Sequence, residues 1–320
     1  MPGIMNTRQD ISSLRKGAYY ECLYNSLSNV PYFANTLYLF VRDNLKDIVC
    51  MGYLFGVLNA TIAFKFSMGP ALHITEIILT THRMILWSLS NLLLFNLHNQ
   101  RHPSAVLEDR QNKPWRPLPA GRISPKQTTH LIFAMYPVIL LISYKWGGMI
   151  PCLLEAFSCL WYNEWGGAAD PFLKNLLNGV GFACFFAGPL EVLTRESIFS
   201  GQGKAATWLG ILTACITTTV HTQDFRDVRG DRAAGRITVP LSIGDTAARL
   251  LVAVGVCGWT LAASWYWEAG KQALVAVLAG GIMVCNLFWD RTTEGDSRTW
   301  KLWPAWIFGL FLVPVIPGRW

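Results

Sequence analysis

A chain of 320 residues with 52% hydrophobic and only 15% charged residues cannot present an ordinary water-facing surface, so the lipid bilayer is the solvent these figures imply. Disordered, collagen-like and coiled-coil classes fail on the same composition, because charge is scarce and apolar residues come in long blocks. The net charge of +7 invites a nucleic acid, but the basic residues are shared among connections between apolar blocks and form no stripe, so no nucleic-acid partner is expected.

Residues 1–30 read as a polar N-terminal tail, charged through Lys16 and lacking an apolar run before a small-residue cleavage site, so no removable secretory signal is expected. Residues 31–320 read as one transmembrane domain. Pro31 to Lys46 mixes Tyr32, Phe33, Leu37, Phe40 and Val41 with Arg42, Asp43 and Lys46, the pattern of an interfacial helix. A helix needs roughly 20 apolar residues to cross a bilayer core. On that rule nine spans are predicted, at 45–68, 72–97, 126–146, 148–163, 172–194, 205–223, 246–267, 271–289 and 301–317, with the fourth the weakest. Parity then places eighteen Lys or Arg on the side of the N-terminus and the even-to-odd loops against six on the other. That bias puts the N-terminus and those loops in the cytoplasm. Eight cysteines show no CxxC spacing and mostly lie inside apolar runs, so they read as small packing residues rather than zinc ligands or a disulfide framework.

Two connections, between spans two and three and between spans six and seven, are long and carry charges of both signs, which calls for a functional reason. In each, an Asp-Arg pair (Asp109-Arg110 and Asp231-Arg232) is followed by a second base (Lys113 and Arg236) and then a proline. The recurrence four helices apart suggests a duplicated four-helix unit, with halves at about 45–165 and 172–289 and the ninth helix at 301–317.

Asp224, Asp227 and Asp231 fall at i, i+3 and i+7, so one helix would stack all three on a single face. Like charges that close repel unless something positive lies between them. Oxygen-only donors without nearby His or Cys favour a hard cation, and Mg²⁺ commonly binds through one or two carboxylates while keeping waters and substrate phosphate oxygens. Arg226, Arg229, Arg232 and Arg236, with Lys113, Arg116 and Arg122 from the other loop, supply phosphate-facing charge. The alternative is a loop of surface ion pairs, which are common and contribute little.

The run Asp224-x-x-Asp227-x-x-Gly230-Asp231-x-x-x-Gly235-Arg236-x-Thr238-x-Pro240 resembles the second aspartate-rich motif of the UbiA superfamily of intramembrane prenyltransferases. Asp109-x-x-Asn112-Lys113-Pro114-x-Arg116-Pro117-x-Pro119-x-Gly121 resembles the tail of its first motif. The resemblance implies an all-α membrane protein with nine transmembrane helices around a lipid-open central cavity, under a cytoplasmic cap that binds an isoprenyl diphosphate through Mg²⁺. It departs in the first motif: Ala105 and Arg101 stand where the family has Asp and Asn, so Asn96 or Asn99 is expected to replace the Asn and Glu108 the missing carboxylate. A degenerate first motif of this kind, Glu-Asp followed by Asn-Lys-Pro-Trp-Arg-Pro, is similar to that of the fungal membrane-bound sesquiterpene cyclases of the superfamily.

On this reading the catalytic acids are Asp109, Asp224, Asp227 and Asp231, the Mg²⁺ ligands are those four with Asn99 and Glu108, and Lys113, Arg116, Arg226, Arg232 and Arg236 hold the diphosphate. The expected activity is class I cyclisation of farnesyl diphosphate to a sesquiterpene. Its rivals are prenyl transfer to an aromatic acceptor and, more distantly, transport of an anionic metabolite. No obligate protein partner is implied, and the endoplasmic reticulum is the expected membrane.

Aromatic faces attract a carbocation, and Trp87, Phe95, Phe133, Tyr136, Phe157, Trp161, Phe182, Phe185, Phe186 and Trp208 are candidates by membrane position. Ionisable residues inside spans are functional candidates. Glu76 and Arg83, seven apart in span two, invite a structural ion pair. Glu155 and Glu191 occupy spans four and five. His221, just before Asp224, is a candidate proton acceptor or a polar residue hydrogen-bonded near the interface.

Overall fold

A computed structural model describes residues 29–233 and 235–317, and among them every regular element is helical. Most of the polar tail at 1–30 therefore lies outside the described residues. The expected interfacial segment is α1 (residues 29–41), which runs through a 3₁₀ turn and a π-turn into α2 (Met51–Ala60). Then come α3 (Ile74–Arg101), α4 (Pro103–Asn112), α5 (Pro125–Trp146), α6 (Met149–Asn163), α7 (Pro171–Thr194) and α8 (Lys204–Thr219). A 3₁₀ segment (Val220–Asp227) leads to the short α9 (Val228–Ala233) and α10 (Val239–Ile243), and α11 (Asp245–Tyr266), α12 (Leu274–Trp289) and α13 (Thr293–Leu312) complete the order.

A helix occupies each of the nine expected segments among the described residues. Five of them, α3, α5, α7, α11 and the segment Lys271–Trp289, are long and apolar enough to cross a membrane. At 15 residues, α6 spans only about 22 Å, which matches its weak sequence signal. The first span is broken, its α-helical part ending at Ala60 before a 3₁₀ turn (Ala63–Phe66).

Helix starts follow from their caps. Asp170 Oδ1 accepts from the Phe172 and Leu173 amides at 2.9 and 2.7 Å with Pro171 at the first position, and Ser124 with Gln127 forms a capping box before α5. The same device corrects an expectation in α3. Glu76 accepts the His73 amide at 2.7 Å, so it closes the first turn of the helix instead of pairing with Arg83 inside the membrane. Glu191 is likewise structural, accepting the Ile198 amide at 2.8 Å.

The core is built around α7, which packs against α2, α3, α6 and α8, while α12 packs on α13 and α3 on α5. Small residues let these helices approach. A side chain at Gly188 of α7 would meet the Trp87 ring at 2.1 Å, and Trp87 Nε1 donates to Ser143 Oγ of α5 at 2.9 Å. One indole thus pins three helices by contact with a bare backbone. On α12, Ala276, Gly280, Met283 and Leu287 are buried while Leu274, Val277, Leu278 and Ile282 are exposed. A helix apolar on its outer face as well as its inner face is one whose outer solvent is lipid.

The connections sort onto two ends of the bundle. At one end Lys65 Nζ donates to Pro314 O, Arg195 Nη1 to Lys145 O and Tyr266 Oη to Lys204 O. At the other end lie both charged loops, whose contacts are described next. This alternation agrees with the predicted parity.

Candidate active site

The connection between α3 and α5 is more ordered than its polar sequence suggests. Pro103 at the first position opens α4, and the Lys113 amide closes it on Asp109 O at 2.8 Å. This short helix turns Asp109 inward, where its side chain is 7% exposed. Arg116 grips both of its oxygens through Nη1 at 3.1 and 2.9 Å, and Arg116 Nε donates to Asp43 Oδ2 at 3.1 Å. The predicted metal ligand Asp109 and the predicted diphosphate ligand Arg116 are therefore partners of each other. Asp43, from the turn after α1, is a third member that sequence spacing did not place in the site.

In the second connection α8 passes into the 3₁₀ segment, which carries Asp224 and Asp227. Asp224 is buried: Oδ1 accepts Lys174 Nζ at 3.0 Å, and Oδ2 has no hydrogen-bond partner among the described residues. One 3₁₀ turn advances about 6 Å, and Asp227 has moved out to the surface, 57% exposed and paired with Arg226 at 3.3 Å. The expected single face of three stacked carboxylates is thus replaced by a buried pair, Asp224 and Asp231, with Asp227 outside them. Asp231 is buried on α9 and accepts Arg236 Nη1 at 3.4 Å. Gly235, at φ +66°, makes the left-handed turn that brings Arg236 back over Asp231, whose carbonyl accepts the Arg236 amide at 2.9 Å.

The two connections meet. While Nη1 of Arg236 holds Asp231, Nη2 of the same guanidinium donates to Glu108 Oε2, 128 residues away in sequence. Acids from the two halves of the chain thereby share one cation. Tyr162, at the C-terminal end of α6, stands within electrostatic range of Lys174, Asp224 and Arg236 and packs on Phe95 at 5.8 Å. Asn99 Nδ2 donates to Asn163 Oδ1 at 3.1 Å, and Asn96 is buried with Nδ2 unpartnered. Asn99 therefore stands beside the end of α6, with Asn96 about one turn earlier on α3. Arg232 is exposed, and Lys113 is half-buried with no side-chain hydrogen bond among the described residues.

Burial pushes the Asp231 carboxyl above the ordinary aspartate range, with Asp224 and Asp227 repelling it further against the pull of Arg236. Burial pulls the Lys113 ammonium down, and Arg116 adds to that shift. Among the described residues no three Asp, Glu, His or Cys side chains converge as a ready metal cluster, because bases are interleaved with the acids. The donors nevertheless fit a hard cation: two buried carboxylates, one with an orphaned oxygen, beside an array of phosphate-seeking bases.

Sequence reasoning missed Asp43 and Lys174. Lys174 carried one signal, since parity places the start of the fifth span on the side of the charged loops. Of the aromatic candidates, Phe133, Phe157 and Trp161 are 69%, 50% and 37% exposed and lie on the outer surface, a correction that follows from helix phase rather than depth. Trp87, Phe185, Phe186 and Trp208 are buried, and Phe182 packs on Phe186 and Trp303. His221 sits within 3.2 Å of Ala248 O and 3.5 Å of Asn175 Nδ2. A carbonyl only accepts, so Nε2 carries the proton and Nδ1 faces the Asn175 amide.

Fold and site together define a multi-pass integral membrane protein with an acid-base site at one end of a helical bundle. The UbiA prenyltransferase family model matches residues 105–313, and the chain belongs to that family. It is 29% identical over 295 residues to the fumagillin beta-trans-bergamotene synthase of Aspergillus fumigatus, covering 91% of this chain and 96% of that protein. A structure of digeranylgeranylglyceryl phosphate synthase matches with a TM-score of 0.61 at 18% identity, covering 88% of this chain and 98% of the other. A UbiA homologue from Archaeoglobus fulgidus bound to GPP and Mg²⁺ matches with a TM-score of 0.57 at 14% identity, covering 88% and 100%. Prenyltransferases and terpene synthases stand among these relatives, and the chain is an enzyme of that family.

Proposed function

We propose that the protein is a membrane-bound class I terpene cyclase that ionises farnesyl diphosphate with Mg²⁺ and closes the hydrocarbon into a sesquiterpene. The observation that carries this reading is the single guanidinium of Arg236 joining Glu108 to Asp231, next to the orphaned oxygen of Asp224. Similarity along almost the whole chain to a beta-trans-bergamotene synthase favours cyclisation over transfer. The homologue bound to GPP and Mg²⁺ supports the same substrate class and metal.

Asp224 and Asp231, with Asp109, Glu108, Asp227 and Asn99 as the further expected ligands, would hold Mg²⁺, which when bound would neutralise charge on the leaving diphosphate. Lys113, Arg116, Arg226, Arg232 and Arg236 receive the diphosphate, exchanging carboxylate partners for phosphate oxygens of equal charge and similar geometry. The chain's contribution is position and fixed charge: bases aimed at the leaving group, and an apolar bundle below that keeps water from the cation.

The second reading is prenyl transfer to an acceptor, expected from sequence to be aromatic. The likeness to a digeranylgeranylglyceryl phosphate synthase favours transfer as such, its named product being a glyceryl phosphate rather than an aromatic. Purified protein in detergent, given farnesyl diphosphate and Mg²⁺ without acceptor, separates the readings. A cyclase releases diphosphate and a cyclic hydrocarbon or alcohol. A transferase stays silent until an acceptor is added, and a carrier releases no diphosphate in either case.

A further inference from the structure

Glu155 lies on the inner face of α6, with Cys152, Ser158 and Cys159, while Leu153, Leu154 and Phe157 face outward. It is 4% exposed, and its Oε2 has no hydrogen-bond partner among the described residues. Opposite it, α7 carries Gly181, where a side-chain carbon would come within 3.3 Å of that oxygen, so the neighbouring wall is bare at this point. Cys152, Cys159 and Cys184 are near enough to sense its charge, yet none of them pairs with it. A carboxyl without a partner in a bilayer-spanning bundle is costly to keep, and such a residue is a functional candidate.

Its position points to that purpose. Tyr162, two turns further along the same face, is within electrostatic range of Asp224 and Arg236. Seven residues of helix place Glu155 about 10 Å deeper than the diphosphate end. A hydrocarbon tail leading from a diphosphate held at Asp224 into the bundle, away from the water-facing loops, would reach that depth. The nearer candidate base, His221, has both ring nitrogens engaged by Ala248 and Asn175.

Resting on the cyclase reading above, we propose that Glu155 is the base that ends the reaction. The allylic C–O bond breaks and its electron pair leaves with diphosphate. The distal double bond supplies the pair for the new C–C bond, and positive charge moves to that end of the chain. Glu155 takes a proton from the carbon beside the cation, the C–H pair becomes a C=C bond, and a neutral hydrocarbon departs. The protonated carboxyl then returns its proton to water before the next turnover.

The test compares wild type, Glu155→Gln and Glu155→Asp in detergent with farnesyl diphosphate and Mg²⁺, reading diphosphate release, product composition and melting temperature. Glu155→Gln is expected to keep diphosphate release and melting temperature near wild type, while the hydrocarbon yield falls roughly a hundredfold in favour of alcohols formed by water capture. Glu155→Asp restores part of the hydrocarbon. An unchanged hydrocarbon fraction in Glu155→Gln overturns the assignment, as does a parallel loss of diphosphate release and melting temperature with unaltered product composition, which marks a packing role. A wild type that makes no acceptor-free product sinks the cyclase reading and this proposal together, and that outcome is seen without any variant.

Discussion

Burial shifts Asp231 up and Lys113 down, and on the proposed function these two shifts bound the pH range of activity. With its carboxyl raised by burial, Asp231 keeps its proton to a higher pH than an ordinary aspartate, and only the ionised form can hold a cation. The acid limb of kcat/KM is therefore expected above the usual carboxylate range, moving down as Mg²⁺ rises because cation and proton compete for one oxygen. Lys113, lowered by burial, loses its charge earlier than an ordinary lysine as pH rises, so Lys113→Arg is expected to shift the alkaline limb upward. Rate profiles at two Mg²⁺ concentrations check both signs. Asp231→Asn is expected to slow diphosphate release roughly 10²–10³-fold with near-normal membrane expression and melting temperature. Retained turnover would remove the residue from the catalytic set.

Local helices decide what each motif residue can touch, and here the charged loops resisted sequence reading most. Motif spacing located Asp109, Asp224, Asp231 and Arg236, because spacing along a chain constrains which side chains share a turn. It did not reveal Asp43 or Lys174, whose roles arise from contacts across 73 and 50 residues. Nor did it reveal that Asp227 is exposed: residues three apart eclipse in a 3₁₀ segment, so Asp227 differs from Asp224 by its advance along the axis toward the loop surface, which spacing alone does not show. Arg249, unassigned from sequence, shows the same limit. Its Nη1 and Nη2 meet Asp296 at 2.7 and 2.9 Å, and Nη1 also meets Leu287 O, so one buried guanidinium ties α11 to α12 and α13. Asp296→Asn leaves Asp245, which accepts Arg249 Nε at 2.9 Å, as the remaining carboxylate partner and is expected to cost about 1–3 kcal/mol, read as a lower melting temperature in detergent with the substrate preference unchanged.

For the whole molecule, the positions of the apolar blocks were legible because a bilayer imposes length and hydropathy on every crossing. The helix phase was not, as the misplaced Phe133, Phe157 and Trp161 show: where lipid surrounds the bundle, inner and outer faces are equally apolar. Orientation follows from charge bias alone and has a direct measurement. A glycosylation sequon inserted between Glu196 and Gly203 is expected to be modified in microsomes, and one inserted between Pro114 and Ile123 to stay bare. The reverse pattern would turn the site toward the lumen.

The meeting of Glu108 with Arg236 also bears on how such a protein can be divided. Each half keeps its own helices but only part of the ionic grip, so a chain severed between the halves, at the exposed Trp165–Gly166 bond, should yield two fragments that are inert alone. Co-expressed, they should regain turnover to the extent that they find each other in the membrane, which makes fragment complementation a reporter of docking between the halves.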